Sequence, residues 1–244
     1  MRGTMGTARS PVRNRHLQPS KGVIIAGLMP ASARTSAKPS AVARPDDRSG
    51  RDQLLDAASA VMTEAESADV PLSAIAQRAG LTTPLTTYHF KTKQGLLLAL
   101  ARRDTERALS QLQGLLAMDL PADEMLRIHI SGIIRNYARR PYLNQLLSLL
   151  LRDEGSASAR EIKETFVIPL AAAQRAIIER GVAEGRFRPV DPAFAYFFIV
   201  GACRDFFTNK ITVKTILGGE PDDATVDRYT KTVLELLFNG LAAR

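Results

Sequence analysis

Leu72-Ser73-Ala74-Ile75-Ala76-Gln77-Arg78-Ala79-Gly80-Leu81-Thr82-Thr83-Pro84-Leu85-Thr86-Thr87-Tyr88-His89-Phe90-Lys91-Thr92-Lys93 is the stretch that decides the fold. Leu72, Ile75, Ala76 and Ala79 recur at helical spacing and form one apolar stripe. Gly80 follows where a helix needs a residue that tolerates positive φ in order to stop. Thr82 and Thr83 are N-cap residues, and Pro84 suits the first turn of a second helix, where its missing N–H would have had no partner. The sequence therefore predicts a short helix from Ser73 to Ala79, a tight glycine turn, and a second short helix ending near Phe90. Ile75, Ala76, Ala79, Leu81 and Phe90 are available to hold the two at a steep angle. This is the layout of a helix-turn-helix, whose second helix enters the major groove of duplex DNA.

The side chains expected on that second helix carry the matching chemistry. Thr82, Thr83, Thr86, Thr87, Tyr88 and His89 can all hydrogen-bond, and threonine methyls can also touch a thymine methyl. Ser73 and Pro84 complete the expected DNA-facing set. Tyr88, His89, Lys91 and Lys93, beside a helix N-terminus, form a phosphate clamp, and phosphate contacts supply most of the affinity in such complexes. His89 has a second reading as a packed residue that stabilises the turn. From Val70 to Arg103, 34 residues, there is no Asp or Glu in a chain that holds 25 of them, while Arg78, Lys91, Lys93, Arg102 and Arg103 fall inside the window. Overall charge says less. The chain is +8, but residues 1–49 carry nine basic against two acidic side chains, so the remainder is close to neutral.

Outward from the motif the period is helical almost everywhere. Leu54, Leu55, Ala58, Val61, Met62 and Ala65 line one face of a helix before it. Thr92 caps a long helix carrying Leu96, Leu97, Leu100, Leu112 and Leu115, broken near Leu120-Pro121. Further helices are predicted over about 123–138, 141–153, 157–184, 191–210 and 223–241, with Pro169 kinking the third of these. Asp191-Pro192 reads as a cap and first-turn proline, and Gly185 as a stop. No strand alternation is visible, so the expected class is all-α: a three-helix helix-turn-helix domain followed by a helical bundle. The expected organisation is a disordered basic tail over 1–46, a DNA-binding domain over 47–107 with its motif at about 71–90, and a ligand-binding and dimerisation domain over 108–244. Within the tail, the apolar run from Val23 to Met29 has a faint likeness to an export signal.

Residues 72–82, then Tyr88-His89-Phe90-Lys91-Thr92-Lys93-Gln94-Gly95-Leu96-Leu97, preceded by Leu54-Leu55-Asp56-Ala57-Ala58, resemble the TetR family of bacterial repressors. The likeness covers Arg51 to Leu97. Thr87 stands where the family usually carries the first of two aromatic residues, and Pro84 replaces a commonly small one and removes a backbone donor. The resemblance implies a homodimer in which a small-molecule effector, bound in the C-terminal domain, shifts the connecting helix and so the spacing of the two recognition helices. Half-sites one turn apart, about 34 Å, tolerate little change in that spacing, so the operator is released.

Candidate effector contacts are His129 and Tyr137, eight residues apart on one helical face, with Phe198 and Arg204 further along. Plainer readings stand beside these: His129 as core, Phe198 as core or dimer interface. Arg204 and Asp205 form a buried pair, a ligand anchor or an exposed pair. The expected dimer interface is the last two long helices, with Val233, Leu236 and Leu237 among its residues. Enzyme chemistry lacks an inventory: three scattered histidines, no phosphate-cradling glycine loop and no visible nucleophile–base arrangement, so no catalytic residue, metal or cofactor is expected. Cys203, the single cysteine, excludes an internal disulfide and fits a reducing compartment, the cytoplasm. No apolar run is long enough to cross a bilayer. The rival reading is a helical interaction module that has lost sequence-specific DNA binding.

Overall fold

The computed structural model describes Ser49 to Ala243; the expectations for the basic tail and its apolar run lie outside these residues. The described residues form α-helices joined by short loops, with one isolated antiparallel bridge, Phe187 to Ala242, and no strand. The all-α reading holds.

The headpiece comprises α1 (Gly50–Glu64), α2 (Leu72–Arg78) and α3 (Thr83–Phe90). Ser49 caps α1 by accepting from the Asp52 N–H. Gly80 takes φ +68° after α2, a conformation that a Cβ would strain, and the chain turns there into α3. Arg78 grips Glu64 with two hydrogen bonds of 3.0 and 2.7 Å, tying the end of α2 to the end of α1.

A 24-residue helix, α4 (Lys93–Leu116), leaves the headpiece with Thr92 as its cap, as the sequence predicts. The sensor domain follows as α5 (Ala122–Arg139), α6 (Leu143–Leu151), α7 (Ala157–Ile162), α8 (Ile168–Ala183), α9 (Pro192–Thr208), α10 (Lys210–Leu217) and α11 (Asp223–Leu241). Lys163–Val167 is a π-helical segment that joins α7 to α8 directly ahead of Pro169. Pro169 has no N–H to offer the preceding turn, and widening that turn accommodates its ring. α9 ends at Asn209 (φ −100°, ψ 56°), close to the expected end of that helix at 210, and α10 follows as a further short helix that the sequence pattern does not predict.

Two hydrophobic cores run along α4. The first joins Leu54, Leu55, Met62, Ile75, Phe90, Leu96 and Leu100 to Tyr142, Leu146, Leu150 and Ile162. The second gathers Leu112 and Leu115 with Met125, Leu126, Ile130, Ile134, Ile177, Ile178, Phe187, Cys203, Val233 and Phe238. The headpiece therefore shares its core with α6 and α7 and does not stand apart from the sensor domain. Val233, expected in the dimer interface, belongs to the second core, on the inner face of α11. Burial pushes the Cys203 thiol up to about 12, which leaves it protonated and unreactive.

Candidate nucleic-acid interface

The outward face of α3 is built from Thr83, Pro84, Thr87 and Tyr88, spaced i, i+1, i+4, i+5, all exposed. Tyr88 is 77% exposed and meets the His89 ring edge-on at 5.4 Å. Thr82 caps the helix through a 3.4 Å acceptance from the Leu85 N–H, and the Thr87 hydroxyl donates to the Thr83 carbonyl at 3.2 Å. Thr86 is the correction in this set. It is fully buried and its hydroxyl donates back to the Thr82 carbonyl at 3.2 Å, so it faces the headpiece core and offers no atom to a base. The reason is periodic: Thr86 lies one turn before the buried Phe90 and shares its face. Ser73 is exposed near the start of α2. His89 is half-buried, its Nε2 3.2 Å from where a Cβ on Gly50 would stand, which favours the packed reading of this ring.

The corner between α3 and α4 is made by one strained residue. Lys91 adopts φ 67°, ψ −52°, and the Thr92 N–H bonds the Phe90 carbonyl across it at 2.7 Å. This is a γ-turn of the strained hand, unusual for a residue with a Cβ. Gly95 makes it possible, because a Cβ there would collide with the Phe90 carbonyl oxygen. The turn presents Lys91, exposed, beside the N-terminus of α4, whose first turn holds no acid. Lys93 opens that helix and pairs with Asp69 at 2.9 Å, which holds the Asp69 carboxyl below its usual range. Sequence reasoning missed Asp69, since it lies one residue outside the acid-free window and only the fold brings it to Lys93.

In the sensor domain the four candidate effector residues separate. His129 and Tyr137 both point inward from α5. His129 Nε2 lies 2.9 Å from the Gln174 amide on α8, and burial lowers its pKa to about 4, so the ring is neutral. Gln174 is 1% exposed and its Oε1 has no hydrogen-bond partner. Nothing in the sequence singled out Gln174. Tyr137 instead stacks on Phe207 at 6.3 Å. Phe198 is 75% exposed, on the outer face of α9, and does not line an interior site. Arg204 and Asp205 are both exposed, so neither the buried pair nor an interior anchor is present. A cleft of about 480 Å³ opens elsewhere, between α4 and α5, beside Asp104, Arg107, Asn136 and Arg140.

An exposed, acid-free second helix on a three-helix headpiece, mounted on a helical bundle, defines a helix-turn-helix DNA-binding regulator. Residues 54–100 match the family described as bacterial regulatory proteins, tetR family, and residues 119–244 match the tetracyclin repressor-like C-terminal domain. The chain belongs to the TetR family of ligand-responsive, DNA-binding transcriptional regulators. No curated protein sequence matches it. Among solved structures, a TetR/AcrR-family regulator from Thermobifida fusca is 22% identical, covering 78% of this chain and 97% of its own, with a TM-score of 0.60. FadR from Bacillus subtilis in complex with stearoyl-CoA is 22% identical over 77% of this chain and 97% of its own, at 0.61. The ketosteroid regulator KstR2 of Mycobacterium tuberculosis is 19% identical over 80% and 96%, at 0.60. At these identities the likeness is one of fold.

Two measurements follow from the geometry. Lys91→Gly removes the strain of the γ-turn and raises stability by about 1 kcal/mol in chemical unfolding. DNA affinity falls in the same variant, since the charge goes with the side chain; an unchanged unfolding midpoint would show that the turn stores no strain. His129 gives a pH signature. Its folded pKa, about 4, lies below the ordinary 6.5, so the unfolded chain takes up a proton that the folded chain refuses. This group's effect is absent above about pH 6.5, and stability is lost as pH falls towards 4, by up to about 3 kcal/mol. His129→Gln should flatten that loss, read as the difference between wild-type and variant unfolding curves at pH 7.5 and 4.5.

Proposed function

We propose that the chain is a homodimeric repressor that leaves a palindromic operator when a small molecule occupies its sensor domain. The observation that carries this reading is the exposed face of Thr83, Pro84, Thr87 and Tyr88, flanked by Lys91 and Lys93 at the α4 N-terminus. Ser73, Thr82 and the half-buried His89 stand at its edges; bases are read by Thr83 and Thr87, and phosphates are held by Tyr88, Lys91 and Lys93. Residues 47–107 act as the DNA-binding part and 108–244 as the sensor and dimerisation part. The effector is met by the His129–Gln174 pair, whose unpartnered buried carbonyl is costly to leave alone and suits a ligand that donates a hydrogen bond from an otherwise apolar body. The FadR structure with stearoyl-CoA supports the general point that a bundle of this fold can hold a small molecule.

Dimerisation is supported by the apolar residues that α9 and α11 leave outside: Phe194, Phe197 and Phe198 on the first, Leu236 on the second. An isologous four-helix contact between these helices and their copies supplies the two recognition helices that a two-fold operator requires.

The test is fluorescence anisotropy on duplexes selected from a random pool, across a salt series. Lys93→Ala should lower the slope of log affinity against log salt by about 1 and weaken all sequences alike, because Lys93 exchanges Asp69 for a phosphate. An unchanged slope removes Lys93 from the interface, and no salt-dependent binding at all favours the interaction-module reading. Leu236→Glu should give monomers by sedimentation, and these should lose operator binding although the headpiece is untouched. Monomeric wild-type protein that still binds its operator would overturn the dimer.

A further inference from the structure

Polar contacts join the headpiece to the sensor domain at several points, and most lie at the surface. Gln145 accepts from the Ala68 N–H at 2.7 Å and from the Ser67 hydroxyl at 3.2 Å, and Lys210 pairs with Glu66. Each of these contacts has one partner side chain open to water, so they constrain less. Tyr142 differs. It is fully buried at the start of α6, with its hydroxyl 2.9 Å from the Ser59 hydroxyl on α1 and 2.7 Å from Asp104 Oδ2 on α4. A carboxylate only accepts, so Tyr142 donates to Asp104 and Ser59 donates to Tyr142. The other Asp104 oxygen lies 3.4 Å from Arg103 Nε, while Arg140 Nε, at the end of α5, stands 3.8 Å from Oδ2. Arg103 then reaches α1 through Asp56 at 2.8 Å and the Leu55 carbonyl at 3.3 Å.

One phenol oxygen thus links the first helix of the headpiece, the connecting helix and the α5–α6 corner of the sensor. We infer that Tyr142 is a positioning residue for DNA binding: its hydroxyl sets the angle of the headpiece on the sensor domain and, in the dimer, the separation of the two recognition helices. The physical reason is steepness. Hydrogen bonds weaken sharply within a few tenths of an ångström of their optimum, and a carboxylate whose side chain is 1% exposed loses more when a partner leaves than one at the surface does. A shift of α5 or α6 large enough to open these bonds therefore releases the headpiece as a step, while a smaller shift leaves it in place. Tyr142 touches no DNA; it acts through Ser59 and Asp104.

This inference rests on the dimeric DNA-binding reading, and the experiment separates the two. The full chain is titrated by anisotropy against a selected duplex and against versions with one base pair inserted between the half-sites. Insertion rotates and displaces one half-site, so wild type should lose about thirtyfold in affinity. Tyr142→Phe keeps the ring in its packing and removes both bonds; Ser59→Ala removes only Tyr142's own link to α1 and leaves the contacts of Arg103 in place. In both variants the insertion penalty should fall below about fivefold, while the preferred half-site sequence, the salt slope and the sedimentation of the dimer stay as in wild type. A merely structural brace would lower affinity equally at every spacing. That result, or a wild-type spacing profile in Ser59→Ala, overturns the inference, and Ser59→Ala decides alone if Tyr142→Phe fails to fold. Absence of binding by wild type to any duplex removes the DNA-binding reading and this inference with it.

Discussion

The Asp104 side chain is 1% exposed in the middle of the connecting helix, and burying it would be prohibitive without the groups that surround it. Tyr142, Arg103 and Arg140 converge on its two oxygens from two directions, and Ser59 and Asp56 extend that set onto α1. Removing a partner from a buried charge of this kind typically costs about 3–5 kcal/mol, far more than a surface ion pair is worth. The headpiece is held by the same requirement. Its helix α1 cannot swing away from α4 and α6 without breaking the Ser59–Tyr142 and Asp56–Arg103 contacts that extend from the carboxylate's partners, and the shared core of Leu54, Met62, Leu96, Leu100, Leu146 and Leu150 adds an apolar cost to the same motion.

Against that junction, two departures from local optimum lie where function is proposed. Lys91 occupies a strained γ-turn that aims its charge beside the α4 N-terminus, and Gly95 is the concession that lets the turn close. Gln174 leaves a buried carbonyl oxygen without a partner in a core otherwise packed with Ile177, Ile178, Met125 and Leu126. The first departure is offset by the packing of Phe90 and Leu96 around it. The second has no visible compensation among the described residues, and the proposed effector contact rests on it.

Much of this was legible in the sequence because it is local. Gly80, Thr92, Asp191-Pro192 and Gly185 punctuate helices through backbone chemistry that needs no neighbour, and the structure places them accordingly. What depended on facing was harder. In α3, Thr82, Thr83, Thr86 and Thr87 have the same chemistry, so composition gives no contrast between inside and outside; only the four-residue step from Thr86 to Phe90 identifies the buried one. For Phe198 the sequence leaves pocket, core and dimer interface open for the related reason that a phenylalanine-rich helix gives no contrast between its faces; Ile199 and Cys203 form the inner face of α9 and Phe194, Phe197 and Phe198 the outer. Asp69 with Lys93, Ser59 with Tyr142, and His129 with Gln174 are contacts between distant positions, and no periodicity within one helix encodes them.

The outer face of the last helices extends the same logic. Tyr229 on α11 stacks on Phe206 of α9 at 4.2 Å and donates to the Ala202 carbonyl at 2.6 Å, so the two helices are locked together with their outer faces fixed. Between them, α10 has its polarity reversed for a surface helix. Lys210 and Lys214 are half-buried and paired with Glu66 and Glu220, while Ile211 and Ile216 stand outward, 83% and 76% exposed. An eight-residue helix is too short to persist on propensity alone, and one with its apolar side in water gains nothing from burial. A second copy seated on α9 and α11 would meet this segment of chain between them, and Lys210 would connect that contact to Glu66, in the turn between α1 and α2. Dimerisation and headpiece placement would then be connected at one point, where α10 reaches the headpiece through Lys210 and Glu66.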